Sequence, residues 1–369
     1  DRIQAPLNPH WGTVTPFALQ SDDQFSPPAP EPFLLDSQAV TDLAAGTLTR
    51  TDGTILPITK ALIGTDINPT FIAQAERVVA ASADLSTSPA GETQKLIAEF
   101  WEDPSGTPYP PGTWMLFGQK VAEQTNPDLD ADVALFFNLG NAVMDAGIAT
   151  WQAKYATNYV RPVRAIRELG RLGLIGEDID NDGLHEIDAW AGPGLGTQTI
   201  HAIDFLTYQT PGSDPSPPCP EYTSGHSAFS AAAAEVLNLY TGSDDFVLGD
   251  GTLGLSVSFS PGISRFEPGV TPANDTLELS WLTFSEAADE AGISRIYGGI
   301  HFDDGDLNGR QLGRQIGEEV FARTSQLLSG LPTSPAPSKS VPEPGTLLGL
   351  LVMSGLAYRV RSQRSKPEA

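Results

Sequence analysis

Cysteine is nearly absent from these 369 residues, with Cys219 alone, so no intrachain disulfide and no cysteine-based zinc or iron–sulfur site can form. Basic residues are scarce as well, 21 against 46 acidic ones, for a formal charge of −25. A phosphate backbone demands a basic face, which excludes nucleic acid as a partner. Clean alternating strands are few, and the best of them, 253–259, is short. Methionine is confined to Met115, Met144 and Met353, and the chain opens at Asp1. That reads as an incomplete or processed chain whose N-terminal part, with any signal peptide, is out of view. What is present rules out a disordered or fibrous chain: 40% of the residues are hydrophobic, enough to fill a core. The 36 glycines and 31 prolines predict long ordered loops.

The first ninety residues read as loop with short elements, because Pro27, Pro28, Pro30 and Pro32 interrupt any helix there. Helical periodicity begins at 92–101 and is clearest over 128–154, where Val133, Phe136, Phe137, Gly140, Val143, Met144, Gly147, Ile148 and Trp151 recur at threes and fours. Residues 170–222 read as an irregular connection with one short helical patch at 201–208. Further amphipathic runs follow: one with His226, Phe229, Ala233, Val236, Leu237 and Tyr240 on one face, then 281–291 and 306–328. The fold expected is mainly α, a helical bundle with long ordered loops, over residues 1–329. A Pro/Ser linker occupies 330–340 and a distinct tail 341–369.

Three segments carry the chemistry. Lys154 and Arg161-Pro162 lie at the end of the longest predicted helix, Ser224-Gly225-His226 opens the alanine-rich one, and Ser294-Arg295 precedes His301. Singly, each has a structural explanation: helix-end cations, a capping serine, a core histidine. Together they describe an oxyanion pocket. Clustering three long cations is costly unless a multiply charged anion sits between them. Ser224 offers a hydroxyl and Gly225 a bare N–H at a helix N-terminus, where the dipole also favours an anion. The two histidines remain, one to bond a central atom and one to move protons.

This K-x6-RP, SGH, SR-x5-H pattern resembles the signature of vanadium-dependent haloperoxidases and the related type-2 phosphatidic acid phosphatases. Pro9-His10-Trp11-Gly12-Thr13-Val14-Thr15-Pro16-Phe17 and Ile296-Tyr297-Gly298-Gly299-Ile300-His301-Phe302 also resemble that family's bacterial branch. The resemblance implies a helical bundle of the haloperoxidase and acid phosphatase type. It implies vanadate held by Lys154, Arg161, Ser224, Gly225 and Arg295, with His301 bonded to vanadium and His226 as acid–base. It further implies an enzyme that oxidises halide with hydrogen peroxide to hypohalous acid and halogenates small organic substrates, and a homodimer. The alternative is a phosphatase working through a phosphohistidine at His301, since five-coordinate vanadate resembles the transition state of phosphoryl transfer. Trp151 and Cys219 fall where the resemblance puts the substrate pocket. A thiol at 219 is easily oxidised by hypohalous acid, which favours iodide or bromide over chloride.

The chain departs from the pattern in two places. Thr223 stands where proline is usual, and Gly305 where an aspartate four residues after the last histidine is expected; Asp303, Asp304 or Asp306 is the expected substitute for orienting His301. Separately, Asp178, Asp180, Asp182 and Gly183, with Glu186, are spaced like a calcium loop, and an acidic surface turn is the equal alternative. His185 and His201 are expected to be structural or exposed. In the tail, Val341-Pro342-Glu343-Pro344, an apolar stretch over 345–358 and the basic group Arg359, Arg361, Arg364 and Lys366 resemble a PEP-CTERM sorting signal. That resemblance implies export to the periplasm, cell surface or medium of a Gram-negative-type bacterium, transient membrane anchoring and processing by an exosortase.

Overall fold

The computed structural model describes residues 5–330 apart from 105, 126–127, 210–215 and 248–250. They belong to one compact unit, Asp1–Leu331. The linker from 331 onward and the tail at 341–369 lie outside the described residues.

Eight α-helices make up most of the unit among the described residues: α1 (Pro69–Ala83), α2 (Pro89–Phe100), α3 (Tyr109–Thr125), α4 (Leu129–Thr157), α5 (Pro162–Arg171), α6 (Gly225–Thr241), α7 (Phe284–Tyr297) and α8 (Asp303–Leu328). Three small antiparallel sheets decorate them. The strands β1 (Val40–Asp42), β2 (Thr47–Thr49) and β3 (Ile55–Pro57) form a meander. The pairs β4 (Glu186–Trp190) with β5 (Thr197–His201) and β6 (Leu255–Phe259) with β7 (Leu277–Trp281) form the other two. The mainly α bundle expected from the sequence is what is found.

Local chemistry sets the helix boundaries. The Asp128 side chain accepts from Ala131 N–H to start α4, which ends where Asn158 turns left-handed. Ser224 caps α6, and Gly242 closes it at φ 75°. Thr283 and Glu286 form a reciprocal capping box on α7. That box moves the helix expected at 281–291 forward to Phe284, leaving Trp281 in β7. By length and composition α4 could cross a membrane, but most of its apolar window is buried inside the protein.

Two other expectations are corrected, and one helix, α3, is added where none was expected. The first ninety residues contain a full helix, α1, started by Asn68 and Pro69; it lies beyond the prolines at 27–32 and buries Phe71, Ile72, Ala75, Val78 and Ala81. Helix α3 opens on Pro110 and Pro111, which a first turn tolerates, and buries Trp114, Phe117 and Val121. Within 170–222, β4 and β5 form a hairpin whose turn uses Gly192, Gly194 and Gly196 at positive φ, and the helical patch shrinks to a single 3-10 turn, Ala202–Asp204.

The contact that matters most for the site is α6 against α8. Gly309, Gly313 and Gly317 recur every four residues and present one bare stripe of α8. A Cβ there would stand 2.9 Å from Ser224 O, 2.3 Å from Ala228 O and 2.7 Å from Ala232 O, respectively. The two backbones are therefore in direct contact, and the start of α6 is fixed in register with the start of α8.

In a solvated helix, Gly→Ala gains about 1 kcal/mol from propensity alone. Gly140 on α4 has open space, its nearest neighbour being Met115 Cε at 3.9 Å. Gly140→Ala should therefore be neutral or stabilising, whereas Gly313→Ala should destabilise by roughly 1–3 kcal/mol through overpacking. Urea denaturation of both variants checks the opposite signs.

Candidate active site

Helix ends converge on one point. Lys154 lies in the last turn of α4, Arg161 is the N-cap of α5, Ser224 is the N-cap of α6, Arg295 lies in the last turn of α7, and His301 directly precedes Phe302, the N-cap of α8. Lys154, Ser224, Arg295 and His301 are all buried.

Hydrogen bonds from the three cations go mainly to neutral oxygens. Lys154 Nζ donates to Pro220 O at 3.0 Å and Glu221 O at 2.9 Å. Arg161 donates to Cys219 O at 3.0 Å and Ile300 O at 2.9 Å, and reaches Cys219 Sγ at 3.3 Å. Arg295 donates to Trp101 O at 2.7 Å and to Gln209 Oε1. The carbonyls hold the cations in place without cancelling their charge. Burial draws Lys154 below the usual lysine range, and Arg161 adds to the effect. Burial also draws Arg295 down to about 10, so it stays cationic at neutral pH.

His301 is read from its partners. Arg161 Nη1 lies 3.0 Å from its Nε2 and can only donate, so Nε2 is an acceptor. The ring proton is then on Nδ1, which donates to Glu221 Oε1 at 2.6 Å. Burial, then the nearby Arg161, Lys154 and Arg295, hold the His301 pKa well below that of a free imidazole. A neutral ring with its lone pair on Nε2 is the form that binds a metal or attacks phosphorus.

Glu221 corrects the expected partner. Asp304 Oδ2 accepts from Glu31 N–H and Gln74 Nε2, Asp306 bonds Ser227 Oγ and Arg310, and Asp303 has no hydrogen bond to His301. These aspartates lie on helical positions whose side chains point to other neighbours, while Glu221 reaches in from the segment ahead of α6. Its only signal in the sequence is an acidic residue at the end of a Pro-rich stretch beside the SGH motif. Trp101 and Gln209, which seat Arg295, leave no signal at all.

The pocket also contains polar atoms without partners. Arg295 Nε and His226 Nε2 are buried with no hydrogen bond. Burial first, then Arg295, keeps His226 neutral. Gly225 opens α6 against the rings of Trp151 and Phe229, which a Cβ would meet at 3.4 and 3.5 Å. Trp151 donates to Leu7 O, and Lys154 Nζ lies 5.9 Å from its ring centre. Trp151 and Phe229 also line a cavity of about 420 Å3 together with Trp11, Val143 and Met144; none of the three cations lines it.

The segment around His10 packs on the middle of α4. Gly12 allows this, since a Cβ would meet Gln152 N at 2.5 Å, and Asp145 accepts from the backbone N–H groups of Phe17, Ala18 and Leu19. His10 itself is exposed. In the acidic loop, Asp180, Asp182, Glu186 and His201 place one ligand atom each within 4.8 Å of one another. Asp178 is not among them, because its Oδ2 accepts from Gly183 N–H and closes the loop. His201, expected to stand apart, takes the fourth place because the β4–β5 pairing sets it directly opposite Glu186. His185 is structural: its Nδ1 lies 3.1 Å from the carbonyls of Ile175 and Gly176.

A family model, the VCPO second helical-bundle domain, matches residues 134–330, which hold every residue of the cation and histidine cluster. The chain belongs to the vanadium haloperoxidase family. No curated protein matches it in sequence. Among solved structures, it is similar to an apo-type bacterial vanadium-dependent chloroperoxidase at TM-score 0.64 and 21% identity, covering 88% of this chain and 57% of that one. The holo-type structure of a bacterial vanadium-dependent chloroperoxidase gives TM-score 0.63 and 21% identity, over 89% and 56%. A bacterial vanadium-dependent iodoperoxidase gives 0.55 and 24%, over 87% and 58%. The chain thus spans less than three fifths of the length of each of these structures.

Proposed function

We propose that this chain uses vanadate to oxidise halide with hydrogen peroxide, consuming one proton and releasing hypohalous acid and water, with halogenation of small organic substrates as the outcome. The observation that carries this reading is the neutral His301 Nε2 lone pair set among three cations that form no ion pair among the described residues. The donor set fits vanadate: one neutral nitrogen, cationic side chains, and bare N–H groups at the start of α6, with Arg295 Nε still unpartnered. His301 would bond the metal, and Lys154, Arg161, Arg295, Ser224 and Gly225 would hold its oxygens. Vanadate, when bound, supplies a Lewis-acid centre that activates peroxide without changing its own oxidation state.

The chain's own residues do the rest. The cations attract anionic oxygen and stabilise charge that develops on it. His226 Nε2, neutral and unpartnered, accepts the proton that hydrogen peroxide gives up on entering and returns it to the departing oxygen. Trp151 and Cys219 border the substrate side, and the Cys219 thiol favours iodide or bromide over chloride, whose hypohalous acid is the harsher oxidant. The tail at 341–369 supports an exported protein processed by an exosortase.

A phosphatase is the second reading, and the same lone pair favours it: a neutral His301 Nε2 can attack phosphorus directly. The two chemistries are separated by assaying iodide and bromide oxidation, and phosphomonoester hydrolysis, with and without orthovanadate. The haloperoxidase reading expects halide oxidation only with orthovanadate present. It expects His301→Ala to lose orthovanadate binding, and His226→Ala to bind it while losing at least 100-fold in turnover, the ordinary scale of acid–base catalysis. Phosphate release that orthovanadate inhibits, with no halide oxidation, would assign the pocket to hydrolysis.

The loop at 178–186 is a separate candidate for calcium, now through Asp180, Asp182 and Glu186. Calcium takes oxygen ligands, whereas the neighbouring His201 suits zinc better. Millimolar calcium should raise the melting temperature, and Glu186→Gln should remove the rise. A shift with zinc alone would change the metal, and no shift with either would leave an acidic surface turn.

A further inference from the structure

We propose that Glu221 is the positioning residue that fixes the tautomer and orientation of His301, and that Gly305 is glycine because the Glu221 carboxyl group fills the space in front of it. The first part rests on geometry alone; its consequence for vanadate affinity rests on the functional reading above.

Four observations support it. The Glu221 side chain is fully buried, at 0% exposure. Its Oε1 accepts from His301 Nδ1 at 2.6 Å and from Phe302 N–H at 3.1 Å, so one oxygen grips both the ring and the backbone that carries it. A Cβ built on Gly305 would lie 2.1 Å from Oε1, 2.8 Å from Cδ and 3.0 Å from Oε2 of Glu221, so no side chain fits at 305 while Glu221 is in place. Finally, Ser224 N–H donates to Gly305 O at 2.8 Å, which pins the segment carrying Glu221 to the first turn of α8.

Gly305 continues the stripe of Gly309, Gly313 and Gly317 by one more turn. The lower three admit backbone, and Gly305 admits a carboxylate. This geometry means that one functional group could be delivered from either side. A short acidic side chain at 305, with residue 221 reduced to alanine, would project into the volume that the glutamate carboxyl now occupies. A carboxylate on Nδ1–H raises the basicity of Nε2 and stops the ring from flipping, and losing such a partner typically costs 10–100-fold in metal affinity.

The test uses the full chain, 15N-labelled at histidine, as wild type, Glu221→Gln, Glu221→Ala, and Glu221→Ala combined with Gly305→Asp. Nitrogen NMR on protein without vanadate reads the His301 tautomer. Wild type and the double variant should show the proton on Nδ1, and both Glu221 single variants a mixed or reversed tautomer. Orthovanadate titration, followed by calorimetry, should show affinity falling about 10–100-fold in the single variants and returning to within a few-fold of wild type in the double. An unchanged tautomer in Glu221→Gln would overturn the proposal, as would a folded double variant that is no better than Glu221→Ala. If the double variant does not fold, the Glu221→Gln spectrum decides alone. Wild-type protein that shows the Nδ1 tautomer but binds no orthovanadate would reject the vanadate reading and leave Glu221 in its role.

Discussion

The backbone contact between α6 and α8 is the constraint from which the rest of the site follows. Because Gly309, Gly313 and Gly317 let α8 touch the carbonyls of Ser224, Ala228 and Ala232, the two helix starts cannot slide past one another. One start carries Ser224, Gly225 and His226, the other His301. Helices α4 and α7 then only have to end nearby, and α5 to start there, for Lys154, Arg295 and Arg161 to meet them. Positioning by helix ends has a second benefit: the starts of α5, α6 and α8 offer free N–H groups and a dipole end that favour an anion, while the C-terminal turns of α4 and α7 suit the cations Lys154 and Arg295.

The electrostatics follow a related logic. In a chain with 46 acidic residues, three cations, two of them buried, could easily have been neutralised by carboxylates. Instead, their hydrogen bonds go to backbone carbonyls, one amide oxygen, a thiol sulfur and the His301 ring nitrogen. The Glu221 carboxylate directs its hydrogen bonding at His301 and the backbone of Phe302. The pocket therefore gathers three cations without ion pairs, among the described residues, inside an acidic protein. At physiological salt, the negative surface is screened beyond roughly 8 Å, so the local cations set what binds.

Much of this is legible in the sequence, and the limits have physical causes. Helices α4, α6 and α8 show themselves through apolar repeats and polar caps, and the three motifs single out the seven residues for which roles are proposed. Helices α1 and α3 are missed, because the prolines at 27–32 do not reach as far as α1 and those opening α3 stand in a first turn that accepts them. Glu221 is hidden for a different reason: its partner is 80 positions away, and only the register of α6 on α8 brings the two together. The expectation that a nearby aspartate orients His301 fails because proximity in sequence does not decide which way a helical side chain points. His201 joins the acidic loop through strand pairing, which local spacing cannot reveal.

The most direct test of the account is a crystal structure of the protein grown with orthovanadate. The account predicts vanadium bonded to His301 Nε2, with its oxygens met by Lys154, Arg161 and Arg295 and by the start of α6, and with Glu221 still on Nδ1. Vanadium bonded to His226 instead, or orthovanadate absent from this pocket at saturating concentration, would contradict it.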